Sequence, residues 1–94
     1  MVTITSRARK ELKRVLDTRS LDSGNYLRLA TPPEWTGEGD FGIVIDTQRH
    51  GDIEVEFEEV TVLLVNEALD EQLPSAVLDF KESDSGSRFT LDVF

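Results

Sequence analysis

Ninety-four residues make one small domain, 1–94, and a hydrophobic content of 38% is enough for a single modest core. At this length roughly two-thirds of the unfolded surface is removed from water on folding. The absence of cysteine excludes disulfides, thiolate metal ligands and a cysteine nucleophile. A net charge of −9 argues against a nucleic-acid partner, no apolar run matches a leader peptide or a membrane span, and a cytoplasmic protein is expected.

Val2 and Ile4 suggest a short leading strand or an anchored tail. Thr5 or Ser6 can cap a first helix by accepting a free backbone N–H. Ala8, Leu12, Val15 and Leu16 then form one apolar stripe at helical spacing, and the helix is expected to end near Asp17–Thr18. Residues 1–20 carry six basic and two acidic residues, a balance of +4, which leaves −13 on the remainder. Such a basic helix could steer a partner, although the solvated face of an amphipathic helix is the simpler reading.

Tyr26–Ala30 alternates as a strand, with Leu27 and Leu29 on one face and Tyr26 and Arg28 on the other. It breaks at Pro32-Pro33, where no backbone N–H is available for a ladder. Alternation resumes over Phe41–Asp46. A polar turn with the single histidine, His50, follows. Ile53, Val55 and Phe57 alternate with Glu54, Glu56 and Glu58 in a strand buried on one side. Glu58-Glu59 is expected to join it as a hairpin to Val60–Val65, which is apolar on both faces and should be central. Asn66 can cap a short helix through Leu73 with Ala68, Leu69 and Leu73 facing inward, and Pro74 stops it. Ala76–Lys81, a turn over Ser83–Ser87 and a last strand through Val93 complete an α+β domain.

The 31–41 loop is the natural place for function. Glu34, Glu38 and Asp40 could meet a hard cation, but their spacing fits no established metal loop. Trp35 is either an exposed interface anchor or a cover for the sheet edge. The glutamate row 54, 56 and 58 reads as a solvated face that also discourages edge pairing. No residue set supports catalysis: the histidine has no partner at a recognised spacing, and Gly37-x-Gly39 does not make a phosphate cradle.

The order of these strings resembles the A-type iron–sulfur carrier family, the HesB/IscA-like domain. The matching features are Ile4-Thr5 with Ala8 and Leu12, the strand Tyr26-Leu27-Arg28-Leu29, and Phe41. They continue with Asp52-Ile53, Val62-Leu63-Leu64-Val65, Leu78-Asp79-Phe80, and Gly86 followed by Phe89. The resemblance implies two β layers with an N-terminal helix and a short second helix. It also implies three cysteine ligands, the first a few residues after the Leu-Arg-Leu strand and two in a Cys-Gly-Cys tail. Here the first position falls on Thr36, and the sequence ends at Phe94 before the pair. A threonine hydroxyl does not replace a thiolate toward an iron–sulfur centre.

The expectation is therefore a non-enzymatic, cysteine-free relative with no cofactor. It would act as a protein-interaction or regulatory module in iron–sulfur or sulfur metabolism, through a loop comprising Glu34, Trp35, Glu38 and Asp40. The alternative is a carrier that binds metal through oxygen ligands in the 34–40 loop.

Overall fold

The computed structural model describes residues 2–37 and 39–93. Its element order is β1 (Thr3–Ile4), α1 (Ser6–Arg19), β2 (Asn25–Ala30), β3 (Gly42–Thr47), β4 (Asp52–Phe57), β5 (Val60–Asn66), α2 (Glu67–Gln72), β6 (Val77–Ser83) and β7 (Gly86–Asp92). The strands form a three-stranded sheet, β1-β6-β7, and a four-stranded sheet, β3-β2-β5-β4. This is the expected α+β domain with two β layers and two helices.

Capping and apolar spacing define α1. Thr5 Oγ1 accepts the Ala8 N–H at 3.1 Å and donates to Asp79 Oδ1 at 2.7 Å, so one hydroxyl starts the helix and ties it to β6. Ala8 and Leu12 are fully buried against the core, and Val15 and Leu16 pack at its margin. The helix runs to Arg19, slightly beyond the expected end. Ser20 stops it with φ 49° in the left-handed region. Arg9 belongs to the fold rather than to a solvated face: Nη1 donates to the Glu56 carbonyl at 2.8 Å and Nε to the Ile4 carbonyl at 3.1 Å.

The leading residues form a strand, parallel to β6 through Thr3↔Val77 and Ile4↔Leu78. β5 is central as expected, lying between β2 and β4 with Val62–Val65 all buried. Its ladder with β4 slips between Val55 and Glu56, leaving Val62 as the extra residue of a bulge. Glu58 and Glu59 both take positive φ, 52° and 66°, as a two-residue hairpin turn of type I′ requires. Asn66 caps α2 by accepting the Ala68 N–H at 3.1 Å. Leu69 and Leu73 pack inward, whereas Ala68 is exposed, because the helix touches the core only along its margin.

Candidate functional site

The loop after β2 folds back on the sheet. The Trp35 N–H donates to the Thr31 carbonyl at 3.0 Å and closes a turn around a cis Pro32-Pro33 bond. The half-buried Trp35 ring then lies over two glycines. A Cβ on Gly42 would stand 2.2 Å from its Cε3, and one on Gly37 would stand 2.4 Å from its Cζ2. Hydrogen at both positions lets the ring approach the backbone. The Trp35 ring thus packs over the sheet edge at Gly42 while staying partly exposed.

Thr36 and Asp40 are exposed on the loop, and Glu38 lies outside the described residues. Glu34 is also exposed, with Oε1 3.3 Å from Arg49 Nη1. Among the described residues no group of three His, Cys, Asp or Glu side chains gathers where a metal could be held. His50 is exposed in its turn.

A buried polar centre that lies outside the sequence expectations joins β2 to β4. Arg28 is only 2% exposed on β2, and the Asp52 side chain at the start of β4 is fully buried. Arg28 Nη1 donates to Asp52 Oδ1 at 2.7 Å and Nη2 to Oδ2 at 2.5 Å, a bidentate pair. Nη2 also donates to the Thr47 carbonyl at 3.0 Å. Asp52 accepts further from the Arg49 backbone N–H at 2.6 Å and from Asn66 Nδ2 at 3.3 Å. The Arg28 hydrogen bonds, outweighing burial, hold the Asp52 carboxyl down to about 2.

From this pair the charges alternate outward. Arg28 Nε sits 3.4 Å from Asp46 Oδ2 without a hydrogen bond, and the same oxygen accepts from Arg49 Nη2 at 2.5 Å. Arg49 reaches Glu34 in turn. The backbone N–H of Thr47, with Arg49 and Arg28 nearby, lowers the Asp46 carboxyl below its ordinary value. The chain Asp52, Arg28, Asp46, Arg49, Glu34 therefore links a buried pair to the loop. The only signal in the sequence was a charge set between Leu27 and Leu29; that it needs a partner follows once the structure shows Leu27 through Ala30 all buried. Both charges of the pair are buried and face each other inside the protein.

The donor set does not fit an iron–sulfur cluster. These 94 residues contain no cysteine, and the loop position that the resemblance assigns to a ligand is a hydroxyl. No protein-family model matches the sequence, and no curated protein sequence matches it significantly. Solved structures do match. The chain is similar in fold to Escherichia coli SufA, described as involved in biosynthesis of iron–sulfur clusters. The TM-score is 0.66 at 18% identity over 98% of this chain and 84% of that one. It is also similar to IscA, solved with a [2Fe-2S] cluster, with a TM-score of 0.59 at 21% identity over 99% of this chain and 82% of that one. The architecture is that of the SufA and IscA structures.

Proposed function

From a fold shared with SufA and IscA and a sequence that offers no thiolate, we propose a non-enzymatic protein-interaction or regulatory module of iron–sulfur or sulfur metabolism that holds no cluster of its own. The carrying observation is the structural match over 98% of a chain with no cysteine. The contact surface in this reading is the outer side of the 31–41 loop, where Glu34, Thr36 and Asp40 are exposed. Trp35 shapes that surface from beneath rather than inserting into a partner. The alternative of an oxygen-ligand metal carrier gains no support, since Glu34 already faces Arg49 and no acidic triad forms among the described residues.

Two measurements test this reading. Anaerobic incubation with iron and sulfide, followed by absorbance and iron analysis, is expected to return protein without a cluster spectrum or stoichiometric iron. Appearance of either overturns the first half. A photo-crosslinking residue at Thr36, compared with one at exposed Glu71, is expected to capture iron–sulfur or sulfur-transfer proteins only from the loop. Equal capture from both positions, or partners of another class, overturns the second half.

A further inference from the structure

On the opposite side of β3 from Trp35, a groove of about 670 Å³ runs between this strand and α1. Its floor is Leu27, Ile43 and Ile45, its wall is Leu12 and Val15, and Phe89 lies at its margin. Its lining also takes in Phe41, at the end of the loop, and Gly42. The side of Gly42 that a Cβ would occupy faces Trp35, so Ile43 and Ile45 point the other way. Ile45 is 48% exposed, in a place where burial against another apolar group would be favourable.

Among the described residues, the charged ones lining this groove are Arg14 and Arg19, in a chain with 19 acidic and 10 basic residues. Arg14 is compensated by Glu11, with Nε donating to Oε1 at 2.8 Å and Nη2 to Oε2, so the unpaired cation on the rim is Arg19. The Arg19 side chain is exposed and makes no ion pair or hydrogen bond among the described residues. A cationic rim above an apolar floor matches a ligand with one anionic head and a hydrocarbon body. The volume lies within the roughly 300–1,000 Å³ of small-molecule sites. A stable protein partner would instead need a contact face of about 800 Å² on each side.

We propose that the groove between α1 and β3 binds a free medium-chain carboxylate, with its tail over Ile43 and Ile45 and its head at Arg19. The proposal is independent of the loop reading, because Glu34, Thr36 and Asp40 are not among the residues that line the groove.

The test titrates the full chain with dodecanoate below its micellar concentration, using calorimetry and amide chemical-shift mapping. Dodecyltrimethylammonium supplies the same tail with the opposite charge, and phosphatidylcholine–phosphatidylglycerol vesicles supply a lipid surface. Saturable 1:1 binding of dodecanoate is expected, with shifts at Leu12, Val15, Ile43 and Ile45. Affinity for the cationic amphiphile should be about tenfold lower or less. Arg19→Glu should weaken dodecanoate binding by about tenfold, a charge-reversal effect at an exposed site. Ile45→Glu should abolish it, with circular dichroism showing the fold retained. Absence of saturable binding, equal affinity for the cation, an unaffected Arg19→Glu variant, shifts confined to the Trp35 face, or binding only to vesicles each overturns the proposal.

Discussion

Removing the Asp52 carboxylate would leave the Arg28 guanidinium buried with the Thr47 carbonyl and a poorly aligned Asp46. A stranded buried charge costs about 3–5 kcal/mol, and Asp52→Ala should lose that much in urea unfolding. The same pair sets an acid limit. A carboxyl held at about 2 in the folded protein, against ~3.9 when unfolded, contributes fully above pH 4. That contribution, roughly 2 kcal/mol, is lost as pH falls from about 4 toward 2. Unfolding free energies measured at pH 7 and pH 3 should show the loss, and the Asp52→Asn variant should show a shallower pH dependence. Close by, Gly42→Ala would drive a methyl into the Trp35 ring and should cost about 1–3 kcal/mol, with a changed tryptophan emission maximum. The alternation that placed Arg28 opposite Leu27 and Leu29 was legible. Its burial was not, because an alternating strand is commonly wet on one side and nothing local announces that β2 is covered on both.

At the scale of elements, the hairpin between β4 and β5 holds two residues without the usual glycine or asparagine in left-handed conformation. Replacing Glu58-Glu59 by Asn-Gly should therefore raise stability by about 1 kcal/mol, read as an increase in Tm with unchanged circular dichroism. The Thr5 hydroxyl works in the other direction. Thr5→Ala removes a helix cap together with the bond to Asp79, and should cost about 1–2 kcal/mol. The cap was readable from its hydroxyl chemistry and the hairpin from the apolar strand runs on either side of Glu58-Glu59, although the turn residues themselves gave no such signal. The bulge at Val62 and the exposure of Ala68 were not readable. Each depends on which neighbour a strand or helix margin meets, and periodicity within one segment carries no such information.

For the whole molecule, the two edges of the larger sheet are treated differently. β4 presents exposed Glu54 and Glu56 beside a register slip, both of which discourage another strand from adding. A Glu54→Val, Glu56→Val double variant should self-associate with rising concentration in sedimentation velocity, while the parent remains unchanged. The division into two sheets was expected only through the family resemblance, because strand order depends on contacts between distant segments. Most distant of all is β1, whose two residues pair with Val77 and Leu78 and whose Thr3 N–H donates to the Ala76 carbonyl at 2.9 Å. During synthesis this opening strand therefore leaves the ribosome more than seventy residues before its partner exists. The segments of β2 through β5 can meet one another before then, whereas the smaller sheet is complete only once β1 finds β6.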